Sequence, residues 1–200
     1  MKISFMAKTK NYFIIYKPYK VLSQFTDEDG NMGLGSIYTL PKDVYPVGRL
    51  DLDSEGLLIL TNDRQLNGAL LNPKNEHNRT YWVEVEGVPS EESLEQFRNG
   101  LDINVKGTYH TLPCQVKVIS DPDLKERNPP VNYDKHPIRT WLEVRLIEGK
   151  NRQVRKMTAK IGHPTLRLVR VAIEDLNLAP LQSGDITQIS GKVLNKKLKL

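Results

Sequence analysis

Cysteine is almost absent. Cys114 is the single thiol in 200 residues, so no intramolecular disulfide can form and a reducing, cytoplasmic setting is expected. Long hydrophobic runs are missing as well. Leu57–Leu60 is typical of the apolar stretches, whereas a membrane-spanning helix needs about 20 such residues. The first ten residues carry Lys2, Lys8 and Lys10 and no continuous apolar segment, so no secretory signal is expected. His77, His110, His136 and His163 each stand alone, outside any His-x-x-x-His or Cys-x-x-Cys spacing, which argues against a zinc site. Neither a Walker A loop nor a G-x-G-x-x-G turn occurs, so no nucleotide cofactor is expected.

What is present is an apolar content of 38% and a formal net charge of +5. The apolar content suffices for one large domain or two packed halves. The charge is unevenly placed. Acidic residues gather early, in Asp27–Asp29 and Asp51–Glu55, and basic residues late, from Arg145 and Lys150 through Arg170 to Lys199. A late basic cluster suits a polyanionic partner. The blander reading is a solvated surface followed by a frayed tail.

Alternating or β-branched runs predict strands at 12–16, 21–25, 57–60, 80–85, 114–119, 141–146, 166–173 and 185–189, with a short extended stretch at 44–50. Helices are predicted from a cap at Thr61 or Asn62 to Leu71, after Ser90 with Leu94 and Phe97 inward, and over 153–161 with Gly162 behind it. Residues 120–137 hold four prolines and many charges and read as a surface loop. Strands mostly follow strands, so the fold class is α+β: a mainly antiparallel mixed sheet with few flanking helices.

Two segments carry candidate chemistry. Val47-Gly48-Arg49-Leu50-Asp51-Leu52-Asp53-Ser54-Glu55-Gly56 alternates three carboxylates just before a buried strand. It reads as a polar loop, as a divalent-metal site on Asp51, Asp53 and Glu55, or as one reactive carboxylate in a shaped turn. Glu148-Gly149-Lys150-Asn151-Arg152-Gln153-Val154-Arg155-Lys156-Met157 opens a helix with concentrated positive charge. It is a basic surface helix or a place where phosphate meets a helix start.

Both segments resemble motifs of the RsuA/RluE group of ribosomal pseudouridine synthases. Gly48-Arg49-Leu50-Asp51 with Ser54-Glu55-Gly56-Leu57-Leu58 is similar to the group's signature, and Asn151–Met157 to its second motif. Arg79-Thr80-Tyr81-Trp82-Val83 resembles its tyrosine-bearing strand, and Tyr16-Lys17-Pro18 its opening turn. The motifs occur in the family's order from about Tyr12 to Ile189. Many members carry an S4-type RNA-binding module first, for which no room is left here, so the resemblance is closest to the short RluE subgroup.

The resemblance implies a pseudouridine synthase catalytic fold in two packed halves around a cleft over residues 12–190. An N-terminal extension, 1–11, would precede it, and a basic C-terminal tail, 191–200, would follow. It implies conversion of a uridine in ribosomal RNA, most closely 23S RNA or a precursor particle, by a monomer with no cofactor and no metal. Asp51 would be the nucleophile, Arg155 the cation beside it and Tyr81 the ring against the base. Arg49, Lys150, Arg152 and Lys156 would contact RNA, and Asp53, Ser54 and Glu55 would shape the loop.

Overall fold

The computed structural model describes residues 9–200. The expected N-terminal extension, 1–11, lies outside it except for its last three residues. Among the described residues, thirteen strands and four helices follow in chain order: β1 (Tyr12–Lys17), β2 (Val21–Leu22), β3 (Met32–Gly33), β4 (Tyr45–Pro46), β5 (Glu55–Thr61), α1 (Arg64–Leu71), β6 (Arg79–Glu86), α2 (Glu91–Asn99), β7 (Asp102–Asn104), β8 (Thr108–His110), β9 (Gln115–Ile119), β10 (Arg139–Leu146), α3 (Gln153–Lys160), β11 (Thr165–Ile173), β12 (Leu176–Asn177), β13 (Ile186–Gln188) and α4 (Gly191–Leu198). No helix among them is long and apolar enough to cross a membrane.

The main sheet runs β13-β1-β5-β11-β6-β10-β9, with β4 beside β5 and β12 beside β11. Every pairing in it is antiparallel except β5 with β11. The α+β expectation, with a mainly antiparallel mixed sheet, therefore holds. β5 is buried along its whole length, because it is covered on both faces, and this explains why its sequence is continuously apolar rather than alternating. Leu57 and Ile59 pack with Leu66 and Leu70 of α1, while Leu58 and Leu60 pack with Leu34 and Val44. Beyond β11, Val83 and Val85 of β6 meet Phe97 of α2 and Met157 of α3 in another cluster.

One glycine sets the spacing of the two central strands. Gly56 has φ +108°, and a Cβ there would lie 2.3 Å from the Arg170 carbonyl oxygen. Any side chain would force β5 and β11 apart.

Several sequence expectations shift. Of 21–25, only Val21–Leu22 pairs, in parallel with Met32–Gly33, since Ser23 turns its hydroxyl to Leu50. Asp63, not Thr61 or Asn62, caps α1 by accepting from Gln65 N at 3.0 Å. Thr61 instead donates to the Asn11 carbonyl, and Asn62 to Thr9 and Asp43. The β7–β8 hairpin has no counterpart among the expected strands. The expected basic tail, 191–200, is mostly helix. Ser190 caps α4, and Leu194 and Leu198 are fully buried beside Ile14 and Leu178, so an apolar stripe outweighs four lysines.

Candidate active site

The loop between β4 and β5 carries Asp51, and several contacts shape it. Ser23 Oγ donates to the Leu50 carbonyl at 2.8 Å and accepts from Leu50 N at 3.0 Å. Lys20 N donates to the Leu52 carbonyl at 2.9 Å, and Ser54 N to the Asp51 carbonyl at 3.0 Å. Gly48 precedes them with φ +70°, a turn that favours glycine. Beneath the loop, the Lys17 side chain is fully buried and donates to the Pro18 and Val21 carbonyls at 2.9 and 2.7 Å. Burial pushes its amine down to about 7, although Glu55, Asp53 and Asp51 pull the other way.

The three carboxylates of this segment go to different partners. Glu55 accepts two hydrogen bonds from Arg167, both at 2.9 Å and both buried. Arg167 also donates to the Lys125 carbonyl at 3.0 Å, which ties the 120–137 loop to β5 and β11. Asp53 accepts from Arg152 at 2.8 and 2.6 Å, and its carboxylate lies 3.3 Å from Arg155 Nε. Burial raises the Asp53 carboxyl, but Arg152 and Arg155 outweigh it and hold the group below the usual carboxylate range. Asp51 makes no side-chain hydrogen bond or ion pair among the described residues. With Glu55 and Asp53 held by different arginines, Asp51, Asp53 and Glu55 form no metal-holding group among the described residues.

Asp51 borders a cavity of about 720 Å³. Tyr81 of β6 and the expected RNA contacts Arg49, Lys150 and Arg152 line it as well. The Lys150 ammonium sits 4.4 Å above the Tyr109 ring. Arg49 is exposed and reaches Gln24 at 3.5 Å. Arg155 and Lys156 stand outside the lining. Lys156 folds back onto Asn151. Arg155 is largely buried and donates to the Asp53 carbonyl at 2.5 Å and to the Thr165 carbonyl at 3.3 Å. Asp51 is within its electrostatic reach, but Asp53 is the acid that Arg155 bonds. A larger cavity of about 890 Å³ lies against Trp82 and Glu143 and contains none of the expected site residues.

The turn that presents the cations is itself braced. Arg152 precedes α3 with φ +51° and no side-chain cap. Gln153 accepts from Lys150 N at 2.9 Å and donates to Glu148 at 2.6 Å, and Glu148 accepts from the Tyr109 hydroxyl at 2.6 Å. Sequence reasoning misses the roles of Gln153 and Ser23 and the burial of Lys17. It also misses Arg170, although a charge inside the apolar run Leu168–Ile173 is an available signal.

A family model described as RNA pseudouridylate synthase matches residues 11–160. The chain belongs to that family. It is 49% identical to the ribosomal large subunit pseudouridine synthase E of Vibrio parahaemolyticus over 91% of this chain and 75% of that protein. It is 48% identical to the protein of the same name from Xanthomonas axonopodis over 84% of this chain and 88% of that one. A crystal structure titled as a pseudouridylate synthase superposes with TM-score 0.78 over 96% of this chain and 75% of the other, at 22% identity, so the fold is shared. The synthase is thus an isomerase, and the likeness to the RluE type rests on whole-chain similarity as well as motifs.

Proposed function

We propose that this synthase converts a uridine of large-subunit ribosomal RNA to pseudouridine, with Asp51 as nucleophile. The observation that carries the reading is one carboxylate, Asp51, unpaired among the described residues and set at the wall of a cavity whose other charged lining groups include Arg49, Lys150 and Arg152. Isomerisation breaks the N1–C1′ bond and forms a C5–C1′ bond. The C5 proton is lost to solvent and N1 gains one, so atoms balance without a redox partner. Carboxylate nucleophiles are established at glycosidic carbons, and an acid free of hydrogen bonds keeps its lone pairs for that attack. The names of the relatives supply the RNA class.

The target uridine leaves its stack to reach Asp51, at a cost of a few kcal/mol, least for unpaired nucleotides. Arg49, Lys150 and Arg152 offset it through phosphate contacts. Tyr81 packs against the flipped base and presents its hydroxyl to it. Arg155, fixed by Asp53, supplies positive charge within reach of Asp51.

The test is tritium release from C5-labelled uridine in ribosomal RNA, under single-turnover conditions with excess EDTA. Wild-type protein releases tritium and Asp51→Asn does not, while binding RNA within a few-fold of wild type. Turnover by Asp51→Asn within tenfold of wild type sinks the nucleophile assignment. Full inhibition by EDTA, with the RNA still folded, sinks the metal-free reading.

A further inference from the structure

The most enclosed charge at the cavity is Arg170, which is 5% exposed. It stands on β11 directly opposite Tyr81 of β6 in the antiparallel register. Both residues line the cavity that Asp51 borders. Opposed residues of such a ladder project to the same face with their Cβ atoms about 5 Å apart. Arg170 Nε donates to the Leu57 carbonyl of β5 at 2.8 Å, which anchors the guanidinium plane. Nη2 is buried with no hydrogen-bond partner among the described residues. The Tyr81 hydroxyl lies within electrostatic reach of the guanidinium, and Arg79 adds a second positive charge nearby. Among the described residues no carboxylate pairs with Arg170.

A buried guanidinium without an acid is a costly element for stability, and an apolar side chain of similar size would serve packing better. Its geometry makes sense as a support. The guanidinium is a planar fork with fixed donors. With one donor spent on a carbonyl of the central strand, the others have a set direction. Tyr81 stands directly opposite on the ladder, and among the described residues no hydrogen bond already claims its hydroxyl.

We infer that Arg170 is a positioning residue: its guanidinium donates to the Tyr81 phenol oxygen and holds that hydroxyl at the uridine in the cavity. The inference rests on the reading of Tyr81 as the group that meets the base. It adds a residue that lies in neither motif segment, and it makes β5, β11 and β6 together responsible for the tyrosine's aim.

The experiment is a double-mutant cycle on the saturated single-turnover rate, read by C5-tritium release beside an RNA-binding titration and a thermal melt. Arg170→Met lowers the saturated rate by at least about tenfold, the scale of a sub-ångström to ångström misplacement, with RNA affinity within about threefold. In a Tyr81→Phe background the same substitution adds less than about threefold, because the hydroxyl it supports is already gone. Arg170→Lys, which keeps a cation but has no fork, gives an intermediate rate, and it replaces Arg170→Met in the cycle if that variant does not fold. A wild-type rate in Arg170→Met overturns the inference. So do losses that multiply fully with Tyr81→Phe, and so does lost affinity at an unchanged saturated rate, the mark of a phosphate contact. A wild-type rate in Tyr81→Phe alone identifies failure of the Tyr81 reading itself. A slow Tyr81→Phe with a multiplicative Arg170→Met leaves that reading standing and removes only the support by Arg170.

Discussion

Asp53 accepts two hydrogen bonds from the Arg152 guanidinium, at 2.8 and 2.6 Å, across 99 positions of chain. The same carboxylate lies 3.3 Å from Arg155 Nε. One acid thereby orients two cations of the α3 turn and leaves Asp51 without an ion-pair partner among the described residues. Asp53→Asn keeps the size and removes the charge. The expected outcome is a saturated single-turnover rate lowered about tenfold or more, because Arg155 loses its anchor. RNA affinity should stay equal or rise slightly, because Arg152 is released. Single-turnover kinetics with a binding titration at fixed salt checks both. Weaker binding at an undiminished rate would show that Asp53 serves only the RNA surface.

Arg155 and Arg152 separate by the same pair of measurements. Arg155→Met should lower the saturated rate by at least about 100-fold, the scale of lost transition-state electrostatics, with affinity changed only a few-fold. Arg152→Met should weaken binding about evenly across RNA sequences, with the smaller loss of rate. If Arg155→Met loses affinity and keeps its rate, Arg155 is a phosphate contact, and Arg49 becomes the next candidate to attend Asp51.

Lys17 gives a pH dependence with a definite sign. Its amine is lowered from 10.5 to about 7, chiefly by burial. Between those values the unfolded chain binds the proton and the folded one does not, so stability rises with pH through that window. The slope attributable to Lys17 approaches about 1.4 kcal/mol per pH unit, as expected where the two states differ by nearly one bound proton. Denaturant unfolding of wild type and Lys17→Met from pH 7 to 9 reads the difference. Lys17→Met should lose that part of the slope, whatever its absolute stability. Parallel curves would mean that Lys17 stays protonated in the fold.

The helix at the C-terminus belongs to the core. Leu194→Ala should destabilise the protein by about 2–5 kcal/mol, the range for a fully buried leucine. Truncation after Ser190 should cost more and should abolish activity by unfolding rather than by removal of basic residues. Replacing Lys192, Lys196 and Lys197 with glutamine should leave the fold intact. Thermal melts of the three variants check this. Equal stability of the truncated and complete chains would contradict the packing of α4.

The sheet was legible because its strands follow a period of two or a continuous apolar run, and both patterns survive in Tyr12–Lys17, Glu55–Thr61, Arg79–Glu86 and Thr165–Ile173. The α4 helix was not, because Lys192, Lys196, Lys197 and Lys199 mask the spacing of Leu194 and Leu198 when the segment is judged by charge. The β7–β8 hairpin was missed although Gly107, with φ +122° at its turn, marks it. At the site, motif order pointed to Asp51, Tyr81 and Arg155. It gave no means of telling which of three neighbouring carboxylates each arginine takes. That choice depends on how β5 and β11 align, a contact between positions more than a hundred residues apart, and it sends Glu55 to Arg167 and Asp53 to the α3 turn.

The pairing of β1 with β13 bears on when the protein becomes competent during its own synthesis. β1 precedes one of its two sheet neighbours, Ile186–Gln188, by nearly the whole of the sheet, so the two can pair only after everything between them has been made. The Asp51 loop likewise waits for Arg152, Arg155 and Arg170 before its surroundings exist. A nascent chain that already displays Asp51 has neither the cationic wall nor the closed sheet edge. Long-range strand pairing of this kind forms slowly, since distant segments must meet before any contact compensates their lost freedom. Competence should therefore await the segments that carry α3, β11 and β13, however early the Asp51 loop is displayed.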